Sequence, residues 1–193
     1  MLLRYSDNEK LRTLLVDLLN YGALAQQYTG YNTDKLVNAD LGDTQKAWGT
    51  AETPAIESIA NLEYEKVEAP TVTWTGGGLS LRDSVAIRLR LKTDSLEGLT
   101  VKVVMGEKTY ELDSFSVADK AGEYYVYFRG LNASQMRTAI TATAYRDGQA
   151  VSDTVRYSVE SYAASKLDAA DAYLADLVKA MMRYGDSAEN YVK

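Results

Sequence analysis

The chain reads as an α+β protein: a seven-stranded antiparallel β-sandwich flanked by an N-terminal helical segment and one long C-terminal helix, with the helical ends packing together. Three observations predict this. Apolar residues recur every three or four positions near both ends, but every second position between residues 71 and 159. Turn signals break the middle at short intervals, with Asp147-Gly148 the strongest hairpin dipeptide. A stretch near one end, Leu14–Tyr28, aligns without a gap to Leu177–Tyr191 near the other. Leu14, Tyr21, Gly22, Ala25 and Tyr28 then meet Leu177, Tyr184, Gly185, Ala188 and Tyr191. The expected organisation is residues 1–69 as the helical segment, 70–160 as the sandwich, and 161–193 as a helix returning to the first.

Ser6–Glu9 has the S-x-x-E spacing of a capping box, so a helix is expected to start there. Leu11, Leu14, Leu18, Tyr21, Ala25 and Tyr28 define its apolar face, and Gly30 its stop. Gly22 inside a helix costs about 1 kcal/mol relative to Ala. Its recurrence at Gly185 suggests that another backbone passes close by.

Residues 31–70 carry no sustained period. Thr33–Leu41 and Asp43–Trp48 are expected as short helical turns, with Trp48 and Leu62 tucked onto the main body. From Thr71 the strands begin, and Gly76-Gly77-Gly78 is expected to be a turn. Ser84–Lys92 places Val85, Ile87, Leu89 and Leu91 inward and Ala86, Arg88, Arg90 and Lys92 outward. Leu99–Met105 and Lys108–Asp113 are joined at Gly106-Glu107. Tyr124, Val126 and Phe128 oppose Tyr125 and Tyr127. Ala139–Arg146 leads through Asp147-Gly148 to a return strand carrying Val155, Tyr157 and Val159. The final helix is expected from Ser161 or Ser165, with Leu167, Ala170, Leu174, Leu177, Met181, Tyr184, Ala188 and Tyr191 along one face.

The strand order resembles a fibronectin type III or immunoglobulin-like module. Gly130-Leu131 resembles that family's corner before the sixth strand, although Met136 stands near where a corner tyrosine would be. The Tyr-Gly-x-x-Ala-x-x-Tyr signature at both ends, GYNTDKLVNADL after the first copy, and TATAYRDGQAVSDTVRYSVESYA resemble the C-terminal regions of large secreted or surface-anchored proteins of Gram-positive gut bacteria. The resemblance implies an extracellular or cell-surface location and, as partners, other domains of a larger surface protein, or a host or cell-wall glycan or protein. It brings no catalytic residues. Met1–Arg4 is too short for a signal peptide, so a secreted form is expected to carry its signal upstream in a longer precursor or to have had it removed.

Composition narrows the chemistry. The chain has 193 residues, no Cys and no His. It therefore lacks a thiol nucleophile, a Ser–His–Asp triad, a His-ligated zinc and the usual general base near neutral pH. A net charge of −6 argues against binding nucleic acid through phosphate neutralisation. No apolar run is long enough to span a membrane. Asp94, Glu97, Asp113, Asp119 and Asp147 fall near expected loops, but no D-x-D-x-D-G run marks a calcium loop, so neither metal nor cofactor is expected.

Fifteen tyrosines against two phenylalanines favour half-buried seams and contact faces. If the second and fifth strands are neighbours, Arg88, Arg90, Tyr125 and Tyr127 share one outer sheet face, with Arg over Tyr. These four and Trp74 are the candidate ligand-binding residues. The expected function is a non-catalytic structural or interaction module. The alternative is a carbohydrate-binding module using Tyr125, Tyr127 or Trp74 as aromatic platforms, which requires those rings to be exposed and coplanar.

Overall fold

The computed structural model describes residues 7–81 and 85–193. It is α+β, with two antiparallel sheets and a long helix near each end. Backbone contacts divide it into two compact units: residues 1–57, 132–137 and 163–193 form the helical unit, and residues 58–131 and 138–162 form the sheet unit.

In the helical unit, α1 (Glu9–Thr29) packs against the long C-terminal helix Ala172–Val192. The start of α1 is set by Asn8, whose side chain accepts from Leu11 N at 3.1 Å. The expected cap, Ser6, lies outside the described residues. Gly30 ends the helix at φ 67°, where its N–H closes onto the last carbonyls. A second helix, α2 (Asp43–Lys46), is a single turn, and its segment returns to α1. Arg12 lies 4.7 Å over the Trp48 ring. Asp17, 3% exposed, accepts from Thr50 N (2.9 Å), Thr50 Oγ1 (2.6 Å) and Ser187 Oγ (2.8 Å). A carboxylate this buried persists because donors surround it.

Burial on α1 falls on Val16, Asp17, Ala23 and Gln26. The expected stripe is only partly covered: Leu18 and Tyr28 are exposed. The C-terminal region also departs from expectation, being two helices rather than one. After α3 (Val159–Ala164), a new helix, α4 (Ala172–Val192), begins at Asp171. The Asp171 carboxylate accepts from Tyr173 N at 3.0 Å and Leu174 N at 3.3 Å, so a strong local cap overrides the continuous period.

In the sheet unit the order is β1 (Asn61–Glu65), β10 (Thr154–Tyr157), β8 (Ile140–Arg146), β4 (Leu99–Met105), β5 (Lys108–Leu112), with β9 (Gln149–Ala150) paired to β8. The second sheet runs β2 (Thr73–Ser80), β3 (Ala86–Lys92), β7 (Glu123–Phe128), β6 (Phe115–Val117). The sheets face one another: the Tyr110 and Phe128 rings meet edge-on at 5.0 Å, and the Tyr157 ring covers Gly77. Between them lie Ile87, Leu89, Leu91, Val101, Val103, Val126 and Ile140, nearly all fully buried. Both expected two-residue hairpins form. Asp147 and Gly148 both take positive φ, 52° and 76°, and Gly106 turns at 59°.

The strand count exceeds the expected seven. Three short strands, β1, β6 and β9, join the seven anticipated ones. β1 lies in the stretch 31–70, where no strand is expected from the sequence, and Leu62 on it is exposed rather than tucked in, as is Tyr64. The three glycines are the clearest correction. They form the middle of β2, not a turn, and pair with Arg90, Leu89 and Arg88 after an irregularity between Trp74 and Gly76. A Cβ on Gly77 would fall 2.6 Å from the Tyr157 ring, so only glycine lets the ring lie there.

Candidate functional site

The outer face of the four-stranded sheet follows from pairing register. β3 and β7 are antiparallel, with Arg88 opposite Tyr127 and Arg90 opposite Tyr125. The structure thus brings together the four residues that period 2 placed on one face. Arg88 leans diagonally and sits 4.6 Å over the Tyr125 ring. Gly76 and Gly78 flank the two arginines on β2 without side chains, so the guanidinium groups lie against bare backbone.

The four residues do different work. Arg90 is held internally: Nε meets Thr75 Oγ1 at 3.1 Å, Nη2 donates to Thr75 O at 3.2 Å, and Nε lies 3.2 Å from Glu123 Oε2. Glu123 is 7% exposed, and this charge contact compensates an oxygen that has no hydrogen bond. Arg88 has no carboxylate within ion-pair distance among the described residues. Trp74 stands apart from the other candidates. It is 5% exposed, and its indole N–H donates to Asp153 O at 2.7 Å, fastening β2 to the segment before β10. Trp74 is therefore a core residue: Thr73 before it is exposed and Thr75 after it half-buried, but its own side of β2 faces the opposite sheet.

Sequence reasoning missed Arg129. It continues the odd-numbered series Tyr125, Tyr127 just past the end of β7, and the period-2 rule extended by one step finds it. Its guanidinium lies 5.2 Å over the Tyr127 ring. Like Arg88, it has no carboxylate partner among the described residues. A groove of about 500 Å³ opens beside these groups, lined by Ser80, Arg88, Ser114, Phe115, Ser116, Tyr127 and Arg129. A smaller recess of about 150 Å³ is lined by Gly76, Gly77, Arg88, Arg90 and Tyr125. Arg88 lines both. Asp113, next to the lining, accepts from Ser114 Oγ at 3.4 Å.

Tyr125 and Tyr127 are half-buried, tilted 57° to each other at 6.3 Å, and each carries a guanidinium. They are not coplanar, and they do not form an open stacking surface. What the arrangement offers is two cations held in place by aromatic rings, three hydroxyls and one apolar wall. Among the described residues no group of three or more acidic side chains could hold a metal ion, and no helix is long and apolar enough to cross a membrane.

Comparison with known proteins finds no matching family model, no matching curated protein and no matching solved structure.

Proposed function

We propose that this chain is a non-catalytic structural and interaction module of a secreted or surface-anchored bacterial protein, and that it engages its partner through the outer face of the four-stranded sheet. The observation that carries this is the pair Arg88 and Arg129, seated over tyrosine rings beside a groove of about 500 Å³, with no counter-carboxylate among the described residues. In a chain of net charge −6, two guanidinium groups with no ion-pair partner among the described residues concentrate positive potential at one spot. The surface location rests on the paired Tyr-Gly-x-x-Ala-x-x-Tyr signature and the resemblance it carries. An immunoglobulin-like assignment is supported by strand order: β2-β3-β7-β6 against β10-β8-β4-β5 corresponds to strands A-B-E-D over G-F-C-C′.

The test is retention of the purified chain on cell-wall preparations and on a glycan array, beside Arg88→Gln and Tyr127→Ala. The expected result is retention that both substitutions reduce while the melting temperature stays unchanged. Equal retention by both variants would remove this face from the interaction. Turnover of a retained polysaccharide, lost on replacing a single carboxylate, would overturn the non-catalytic reading.

A further inference from the structure

We infer that the groove beside Arg88 and Arg129 takes an acidic sugar residue, with its carboxylate or sulfate on the two guanidinium groups and its hydroxyls on Ser80, Ser114 and Ser116. This deepens the proposed function and rests on it.

The chemistry of the lining selects the ligand class. A guanidinium group only donates, and its planar fork matches a carboxylate or sulfate oxygen pair. Arg88 and Arg129 lie 4.6 Å and 5.2 Å over Tyr125 and Tyr127, which restrains both forks before any ligand arrives. A pre-ordered donor loses less side-chain freedom on binding. The serine hydroxyls, in contrast, both donate and accept, as sugar hydroxyls require. Ser80 ends β2, while Ser114 and Ser116 flank Phe115 at the start of β6, so the hydroxyls approach from two sides of the arginines.

Shape excludes the main competitor, an acidic peptide. Peptides that add to sheets pair along a free edge, here β2 or β6, whereas the two guanidinium groups stand over the face, on β3 and just past the end of β7. Peptides that lie across a face need apolar pockets for anchoring side chains, whereas Phe115 is the one aliphatic or phenyl side chain in the lining. The volume of about 500 Å³ suits a compact ligand of one or two rings. The tyrosine faces are already occupied by guanidinium groups, so recognition runs through charge and hydroxyls, and a neutral sugar that relies on stacking finds no platform.

The experiment is calorimetric titration of the full chain with a galacturonate oligosaccharide, a sulfated oligosaccharide, the neutral galactose counterpart, an acidic peptide and inorganic sulfate. One or both acidic sugars should bind, and the neutral counterpart should bind at least about tenfold more weakly. Raising the salt should weaken the binding, because the charges are only partly shielded from solvent. Arg129 is exposed, so Arg129→Gln is expected to leave folding intact and to lower affinity about tenfold, with Arg129→Lys falling between. Ser116→Ala, also at an exposed position, should cost a smaller factor. The inference is overturned if the neutral sugar binds as well as the acidic ones, if inorganic sulfate or the peptide binds as tightly, if Arg129→Gln changes nothing, or if no acidic sugar binds at millimolar concentration. Any of these outcomes with variant-sensitive cell-wall retention still in place would leave the interaction module standing and remove only its ligand.

Discussion

Tyr157 shows how a single position joins the two sheets and sets a limit on the pH range of the fold. Its ring lies over Gly77, where a side chain would collide, and it is 6% exposed. Burial pushes its hydroxyl up from 10 to about 12, with Tyr162 adding to the effect. The folded chain therefore holds this proton more tightly than the unfolded chain does. The resulting stability is complete below pH 10 and is lost as pH rises from 10 to about 12, at no more than about 1.4 kcal/mol per pH unit. Burial raises Tyr21 in the same direction, so the two effects add. The melting temperature should fall above pH 10, and Tyr157→Phe should make that fall shallower without abolishing it. Identical alkaline profiles for the two proteins would contradict the burial of the ionising group.

At the scale of elements, the repeated helices are related by more than sequence. Tyr21 and Tyr184 occupy the same position in the two copies, and their rings stack on each other at 5.8 Å and 9°. Asp17 meets Ser187 one turn away, so α1 and α4 run antiparallel. The glycines serve this arrangement differently from the expected backbone crossing. A Cβ on Gly22 would fall 2.9 Å from Val37 Cγ2, and one on Gly185 would fall 2.9 Å from Met136 Sδ and 3.1 Å from Met136 Cβ. Each glycine thus makes room for an apolar side chain from a covering segment.

The two covering segments are anchored by different means. Gln26 holds the first through Asn32 O, Lys35 O and Val37 N at 3.1, 3.2 and 2.8 Å. Arg137 holds the second through a two-pronged pair with Asp186 at 2.6 and 2.8 Å. Gly185→Leu should force Met136, 4% exposed, out of its place and destabilise the chain by about 1–3 kcal/mol. Thermal melting checks this, and an unchanged melting temperature would mean that the Met136 contact contributes nothing.

For the molecule as a whole, the helical unit is discontinuous, drawing on both ends of the chain and on residues 132–137. Its most buried element is α4, where Leu177, Val178, Met181 and Met182 are no more than 1% exposed. Deleting residues 1–57 removes α1 and the segment that returns to it. Each large side chain brought back to water costs roughly 1.5–3 kcal/mol, comparable in sum to the net stability of a domain. A chain starting at Ser58 should therefore self-associate or melt well below the full protein, while strand amides in the sheet unit remain protected from hydrogen exchange. A monomeric fragment with the full-length melting temperature would show that burial between α1 and α4 is not what sustains α4. The same non-local assembly explains why nothing in the sequence assigns Met136 a role beyond standing near a strand corner at Gly130-Leu131: nothing local to Met136 or Arg137 reveals that Gly185 and Asp186, far along the chain, receive them.

What the sequence by itself determined is periodicity and local geometry. Alternation in 84–92 and 124–128, with the two strands taken as neighbours, is enough to place Arg88, Arg90, Tyr125 and Tyr127 on one face, because successive strand side chains must point to opposite sides. Asp147-Gly148 and Gly106 are enough to make hairpins, because those turns need positive φ. Only the tertiary structure decided which of these residues remain available. Arg90 is taken by Glu123 and Thr75, Trp74 by Asp153, and Arg129 joins through a ring two residues back. It also decided that three glycines form a strand and that α1 buries Val16 and Asp17 in preference to Leu18. The physical reason is common to all of these. A period states which side of an element a residue lies on, whereas burial and pairing depend on what packs against that side from elsewhere in the chain.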